Sequence, residues 1–551
     1  MPFFENKISS IILCGGKINF LNLPIKSNTS NSMIPVNGKP VISWILEDFL
    51  EKGFNEAVLV HRADDLHLKQ FLSRTFCTKM KLILVELNES QSILHSLKAG
   101  LEQSSLKGGI QVILGDTLIR DSFDKIDDYV FTHPVEDSSR WCIAESNLNG
   151  IVINYHDKSE NPGVPFEALC GYYKLSHPED FYNLILKGIV EGKNQLSDAL
   201  KSYGLKYPIK SIRAKFWYDF GNIENLLSAK RQLLQSRYFN SLYIHPVLNT
   251  ITKESEFDDK LRNELKWYED LPSELSVLSP RIIKKTEKEG RLVFTQEYYG
   301  YPTLSELFLY SDLSPDAWHG IVKKLMEIVS EFGKYSTQIN HETLLEIYLN
   351  KTFERLNILF EDDQKWKELF DKQTLYINGN AYKGFTSLVP QINQYAKKMI
   401  VNARLGILHG DLCFSNILFD INSQIVKLID PRGSFGQVGI FGDQRYDMAK
   451  LRHSIHGLYD YVVSDLFEIS IEGNEIKCSI FSNEVPAAVT IDFDKQLIAN
   501  GFNPDEIQFI EGLLFISMLP LHKDKPNRQQ VMFAQGMMFL NEIIEKNENC
   551  N

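Results

Sequence analysis

Two α/β domains in tandem are predicted, residues 1–235 with a mixed, mostly parallel sheet covered by helices, and residues 236–551 with a strand-rich small lobe (about 236–302) and a large helical lobe (about 303–551). Length is the first reason. A chain of 551 residues exceeds what one hydrophobic core supports, since cores stop growing near ~250–300 residues. The second is alternation: Ser10-IILCGG, Ala57-VLVH, Lys81-LILVEL and Gly109-IQVILGD are short β-rich apolar runs, separated by amphipathic stretches such as Val41-ISWILEDFLEKGF. Repeated strand, helix, strand builds a sheet with helical cover. The third is a change of pattern after the charged stretch Asn222–Tyr238, which reads as one helix leaving the first domain. Strands are expected near Ile244–Thr252 and Arg291–Glu297, enclosing a helix from about Phe257 to Tyr268. From Leu304 onward helix dominates, broken by the strand pair Ile417-LFD and Val426-KLID. No internal repeat or low-complexity linker separates the halves.

Hydrophobic residues make up 43% and charged residues 24% of the chain, the balance of a globular protein. The formal net charge of −12, with no long basic run, argues against nucleic acid or an anionic membrane as partner, because both need clustered Lys and Arg. Small ligands are expected instead. Seven cysteines without a C-x-x-C pair, and an opening segment without a signal-peptide pattern, point to the reducing cytoplasm. Apolar windows such as Phe515–Leu521 are interrupted before reaching the ~18–20 apolar residues of a membrane span. Oligomeric state is left open.

The strongest chemical signal is Leu408-HGDLCFSNILFD followed by Val426-KLIDPRG. Phosphoryl transfer to an alcohol needs a carboxylate to orient the hydroxyl and accept its proton, and oxygen ligands that hold magnesium against the nucleotide phosphates. His409, Asp411 and Asn416 give the spacing H-x-D-x-x-x-x-N, and Asp430 ends the next strand. His-Gly-Asp alone is compatible with a simple turn; two motifs in the right order argue for chemistry. They resemble the catalytic loop and metal-binding Asp of the aminoglycoside phosphotransferase and choline kinase superfamily. The resemblance implies a protein-kinase-like, two-lobed phosphotransferase domain using ATP and Mg2+, with Asp411 as base, Asn416 and Asp430 as magnesium ligands, and His409 buttressing the loop. Upstream, Lys253 in Asn249-TITKES and Glu264 in Leu261-RNELKWYEDLP suit a phosphate-contacting lysine held by an acid; singly, each also fits a solvated surface charge. Val293-FTQEYYGYPTL would be the hinge, with Glu297 to Tyr299 offering backbone groups to adenine. A glycine-rich phosphate loop is missing before Lys253, where Asn240 and Ser241 are the nearest candidates. Asp447, in Gly442-DQRYDMAKLRHSIHGLYD, is expected to start a helix that braces the site, although an acid favoured by the helix dipole would look the same.

In the first half, Ile11-ILCGGK and Met33-IPVNGKPVISWIL resemble the sugar-1-phosphate nucleotidylyltransferases, as do Val112-ILGDTLI, Glu167-ALCGYYKL (A-x-x-G-x-Y) and Phe216-WYDFGN (W-x-D-x-G). The resemblance implies a GT-A-like fold in which Asp116 and Asp219 share a magnesium, Gly15 and Gly16 line the nucleotide, and Lys158 in Tyr155-HDKSENP meets the substrate phosphate. In-line attack on the α-phosphate requires two polyphosphates to be neutralised. The chain departs from the pattern here: Gly15-GKINFLNLPIKSNTSNS lacks G-x-G-x-R, and Asn31 stands at the P-K-x-L lysine. Lys17 or Lys26 could substitute.

Together the halves predict a bifunctional enzyme. The second would phosphorylate a sugar, polyol or amino alcohol with ATP, and the first would convert the product to a nucleotide-diphosphate derivative with CTP, UTP, GTP or dTTP. Such fusions resemble enzymes of bacterial capsule and lipopolysaccharide precursor supply. Two alternatives keep the kinase and make the first half a nucleotide-sugar-binding module, or a glycosyltransferase; Gly-Asp-Thr rather than Asp-x-Asp weighs against the latter. Protein-kinase activity is disfavoured by the lack of D-F-G and A-P-E.

Overall fold

The computed structural model describes residues 8–16, 30–88, 91–123, 128–160, 162–221, 223–234, 240–245, 247–255, 258–288, 291–311, 313–482 and 485–550, and the chain divides into two units, Met1–Leu233 and Leu234–Asn551. Lys17 and Lys26 lie outside the described residues.

The first unit is built on a mixed sheet of Rossmann-like character, with strands in the order Val152–Asp157, Cys142–Ser146, Glu167–Leu175, Ile110–Leu114, Ser9–Leu13, Glu56–Arg62 and Lys81–Leu87. Ser9–Leu13 runs parallel to both neighbours, and Glu56–Arg62 parallel to Lys81–Leu87. Glu167–Leu175 runs antiparallel to Ile110–Leu114. The apolar runs become central strands because both faces are covered: Ile11, Ile12, Leu59, Val60 and Val112 are buried. Helix Val41–Glu51 buries Val41, Ile42, Ile45, Leu46 and Phe49, one stripe at helical spacing. Helix Ile93–Glu102 lies so close to the sheet that a Cβ on Gly100 would stand 2.8 Å from Ile11 and 3.0 Å from Val60. Because Ser9–Leu13 and Ile110–Leu114 are parallel neighbours, the segments after them, Cys14–Gly16 and Gly115–Asp116, emerge side by side at the carboxyl edge, where open α/β sheets bind ligands. The expected exit helix is Ile223–Leu234; the rest of Asn222–Tyr238 lies outside the described residues.

The second unit opens with a four-stranded antiparallel sheet in the order Asn240–His245, Thr250–Ser255, Arg291–Glu297 and Ile282–Lys288, with helix Asp258–Asp270 between its second and third strands along the chain. Two expectations are corrected. The single strand near Ile244–Thr252 is two strands reversing at a turn where Asn249 adopts φ 48°, and Ile282–Lys288 went unnoticed. Asn240 and Ser241 sit inside a strand, paired with Ser255 and Glu254, rather than in a phosphate loop. The large helical part also contains a sheet absent from the sequence reading, ordered Asn380–Lys383, Thr374–Ile377, Glu475–Ile480 and Phe467–Glu472. Its signal was present in the alternation of FEISIE and EIKCSI about Gly473-Asn474, with Gly473 at φ 67°. The strand pair Ile417–Asp420 and Ile425–Leu428 forms as expected. Among the described residues no helix is long and apolar enough to cross a membrane.

Candidate active sites

In the first unit Asp116 leaves the Ile110–Leu114 strand and Asp219 ends Trp217–Asp219, which pairs antiparallel with Thr117–Ile119 and sets Asp219 opposite Thr117. The two carboxylates converge: a Cβ on Gly221 would lie 3.1 Å from Asp219 Oδ1 and 3.5 Å from Asp116 Oδ2. Only glycine leaves that space open. Burial, and for Asp116 also the Asp219 charge, raises both carboxyls above their ordinary range. Asp219 accepts from Gly221 N (2.9 Å) and Asn225 Nδ2 (2.6 Å). Two acids held at this cost, opening on a space no side chain fills, fit a hard divalent cation.

Asn31 reaches the aspartate pair. Its Nδ2 donates to Asp116 Oδ2 (3.1 Å) and its backbone N to Gly16 O (3.2 Å). Gly15 and Gly16 border the site, and their carbonyls accept from Arg62 Nη1 at 3.3 and 3.4 Å. Arg62 was missed because it sits 46 residues from Gly16 at the end of a different strand, where no motif marks it. Gly115 is as constrained: a Cβ there would be 2.6 Å from both Cys14 Sγ and Ser32 Oγ. Beside Asp219 opens a cavity of about 380 Å³ lined by His133, Arg140, Trp141, Trp217 and Asn225 among others. Lys158 is not among its lining residues. It follows strand Val152–Asp157 at φ 45°, exposed, with its backbone N on Trp141 O (3.0 Å). Among the described residues no hydrogen bond or ion pair joins Lys158 to Asp116 or Asp219.

In the second unit four sequence segments converge. Lys253 Nζ meets Glu264 Oε1 at 2.6 Å and also pairs with Asp430, 177 residues away. Burial alone would lower the Lys253 pKa, but the Asp430 and Glu264 carboxylates hold it well above its usual value. Asp430 takes φ 55°, and its backbone N donates to Tyr268 Oη (3.2 Å) on the same helix as Glu264. Asn416 Nδ2 donates to Asp411 O (2.9 Å) and Oδ2 (3.1 Å), leaving its oxygen for another ligand. Ile429 N donates to Asn416 O (3.0 Å), which ties the Asp430 segment to the loop. His409 is fully buried; its Nε2 lies 3.1 Å from Ile429 O, and burial lowers its pKa to about 4, so it stands neutral as a wedge. Gly410 at φ 80° permits the turn, with Arg432 Cβ 2.9 Å from where a side chain would begin.

Asp447 braces this loop from helix Gln444–Ile455, accepting from His409 N (2.7 Å) and Gly410 N (2.9 Å). The helix is capped by Asp443 rather than started by Asp447. Burial raises Asp447 to about 7 despite both hydrogen bonds. One turn further, Lys450 Nζ lies 2.9 Å from Asp411 Oδ1. Burial alone would raise Asp411; Lys450 and Arg432 hold it well below the usual carboxylate range. Neither cation was anticipated, although Asp447 and Lys450 at i, i+3 share a helix face. At the expected hinge, Glu297 N and Tyr298 N are already taken by Arg281 O and Asn249 O, and the Glu297 carboxylate accepts from Arg281 N and Tyr299 Oη. Of the three positions, Tyr299 is left to offer a backbone N–H.

Among the described residues no group of three or more His, Cys, Asp or Glu forms a metal site. The oxygen donors that could hold a cation are Asp116 with Asp219 in the first unit and, tied through Ile429 N on Asn416 O, Asn416 with Asp430 in the second. An all-oxygen set suits magnesium, an ion that completes its shell with water and phosphate oxygens.

Residues 9–236 match the family described as nucleotidyl transferase, so the first unit carries a nucleotidyl transferase domain. Among curated proteins, the bifunctional protein GlmU of Methanococcus maripaludis is 26% identical over 234 residues, 41% of this chain and 54% of the relative. That of Methanocaldococcus jannaschii is 26% identical over 237 residues, again 41% and 54%. The chain spans about half the length of these relatives. Among solved structures, a UTP-bound UGPase from Acinetobacter baumannii aligns over 42% of this chain and 95% of its own at 14% identity and a TM-score of 0.36. HddC from Yersinia pseudotuberculosis aligns over 41% and 100% at 18% identity and a TM-score of 0.33.

Proposed function

We propose that the chain is a bifunctional transferase: the second unit phosphorylates a small hydroxyl compound with ATP, and the first condenses the resulting phosphate with a nucleoside triphosphate, releasing pyrophosphate. The observation that carries the kinase half is Lys253 joined to both Glu264 and Asp430, because a phosphate-binding lysine, its acidic holder and a metal-binding aspartate are the parts that ATP-dependent transfer needs in one place. The sheet order supports it, since Lys253 lies on an interior strand with the hinge strand beside it. In this reading the acceptor hydroxyl hydrogen-bonds Asp411. Its oxygen forms the new bond to the γ-phosphorus, the bond to the β,γ-bridging oxygen breaks, and the hydroxyl proton passes to Asp411. A carboxylate held at low pKa by Lys450 is a weak base, so it orients the hydroxyl and takes the proton late, as a loose phosphoryl-transfer transition state allows. Asn416 and Asp430 would hold magnesium, which neutralises charge on the β- and γ-phosphates when bound.

In the first unit the attacking phosphate oxygen would bond to the nucleotide α-phosphorus as the bond to the pyrophosphate oxygen breaks. Asp116 and Asp219 would hold the cation, Gly15 and Gly16 would approach the nucleotide, and Lys158 would need the substrate, or a movement of its strand end, to reach the site. The test is isotopic. Label from γ-32P-ATP is expected in the acceptor and to vanish in Asp411→Asn; label from an α-32P nucleotide is expected in the product and to vanish in Asp116→Asn. No transfer of either label from purified protein with magnesium and an acceptor panel would end the reading.

A second reading keeps the kinase and makes the first unit a binding module. Asn31 on Asp116 favours it, because a cation that meets the triphosphate is replaced by a neutral amide. It predicts γ-label transfer only, with nucleotide sugars bound but unchanged.

A further inference from the structure

Lys450 is not the only cation beside Asp411. Arg432 packs against Gly410, with its Cβ 2.9 Å from where a Gly410 side chain would begin, and its Nη1 donates to Tyr446 Oη (2.8 Å). Lys351 and Arg355 stand one turn apart on one face of helix Lys351–Asp362, and Arg355 Nη1 donates to Ser517 O (3.2 Å). Tyr348, three residues before Lys351, lies 6.4 Å ring to ring from Tyr446, and Arg432 stands 5.6 Å over that same ring, so the start of this helix faces the Arg432–Tyr446 pair. Burial lowers the pKa of both Lys351 and Arg355, and the Arg432 charge adds to it while Tyr446 opposes it. Among the described residues no carboxylate forms an ion pair with Lys351, Arg355 or Arg432. Nearby acids are already committed or turned outward: Asp411 is paired with Lys450, Asp447 accepts two backbone N–H groups, and Glu354 is exposed. The chain reaches this helix through a π-helical turn, Glu346–Asn350, a distortion common where a helix serves a site. That turn rests against the segment after Arg432, for a Cβ on Gly436 would meet Thr343 at 2.5 Å and Ile347 at 3.0 Å.

Arg432 is offset by Tyr446, Asp411 and Asp447, but Lys351 and Arg355 are half-buried like charges with no carboxylate in contact among the described residues, and such a pair is costly to hold without an anion. We propose that the acceptor phosphorylated by the second unit is itself anionic, its carboxylate or phosphate gripped by Lys351, Arg355 and Arg432 while Asp411 orients its hydroxyl. This rests on the kinase reading and narrows its substrate from any sugar, polyol or amino alcohol to hydroxy acids, sugar acids or phosphorylated polyols. The γ-phosphate of ATP is the other anion that could sit here, and the test separates the two.

ADP release by the full chain with magnesium and ATP would be measured with matched acceptors: D-glycerate against glycerol, D-gluconate against sorbitol, D-galacturonate against galactose, and glycerol 3-phosphate against glycerol. At least one acid is expected to turn over, with kcat/KM about 100-fold above its neutral counterpart. Lys351→Met and Arg355→Met are expected to raise KM for that acid by roughly tenfold and leave KM for ATP unchanged, with Arg355→Lys recovering part of the loss. Preference for glycerol, sorbitol, galactose or choline would overturn the proposal, as would variants that raise KM for ATP alone. Should no acceptor of any charge release ADP, the kinase reading fails, and calorimetric titration of the same acids decides the anion site separately. Binding weakened by Lys351→Met retains it, and no binding of any acid discards it.

Discussion

The two candidate sites solve the same electrostatic problem in opposite ways. Asp116 and Asp219 face each other with a neutral amide, Asn31, on Asp116, and both carboxyls are raised. Asp411 and Asp430 each have a lysine already in contact, Lys450 and Lys253, and Asp411 is lowered. The first site leaves its charge for a ligand to compensate, whereas the second is compensated by its own residues before any ligand arrives. A pair of uncompensated buried acids is tolerable when a bound cation repays the desolvation, and a pre-neutralised acid is useful when it must be ionised and rigid at every turnover.

The sharpest way to break the comparison is to remove one acid from each site. Asp411→Asn should lower ADP release by roughly 10³-fold without affecting pyrophosphate release from a pre-formed phosphate substrate, and Asp116→Asn should do the reverse. Crossed effects, read by separate ADP and pyrophosphate assays, would mean the sites are not independent. Next in size is Lys450→Met, expected to cost about 10- to 100-fold in kcat. With the ammonium gone, burial raises the Asp411 carboxyl, so the acid limb of the kcat profile should move to higher pH; a profile that only drops in height would mean Lys450 does not tune the base. Asn31→Lys tests the other side. A restored cation beside Asp116 should lower that carboxyl and raise pyrophosphate release about tenfold, near 1.4 kcal/mol of barrier, and no gain would favour the binding-module reading. The smallest effect concerns stability. Asp447 is raised by burial to about 7, against an unfolded value near ~3.9. The folded state then holds the proton more tightly between those values, so stability is highest below the lower one and falls as pH rises to about 7, staying level beyond it with respect to this group. Urea midpoints against pH should show that slope in the wild type and lose it in Asp447→Asn.

Much of both sites was legible because their chemistry sits on contiguous motifs. The segments around Asp116, Asp219, Asp411, Asn416 and Asp430 each carry a turn or a strand end within a few residues, and the fold puts Asp116 near Asp219 and Asn416 on Asp411. Lys253 with Glu264 was also legible, being 11 residues apart on a strand and the helix after it. What was not legible is contact by residues with no local signature: Arg62 on the Gly15-Gly16 carbonyls and Lys450 on Asp411 across long separations, and Asn225 on Asp219 from the helix just after it. Lys158, in an equally familiar stretch, is exposed at a strand end and makes no hydrogen bond or ion pair with the aspartate pair among the described residues. The helical part hid a four-stranded sheet because its strands are short, half-exposed and supplied by segments about 100 residues apart; alternation alone would have marked only the Phe467–Ile480 hairpin.

The most direct test of the whole account is a single phosphorus NMR time course with the wild-type chain, magnesium, ATP, a second nucleoside triphosphate and an acceptor panel. The account predicts a phosphomonoester resonance first, then a diphosphate diester with pyrophosphate, the first lost in Asp411→Asn and only the second lost in Asp116→Asn. A diester that forms without the monoester, or a monoester that survives Asp411→Asn, would contradict it.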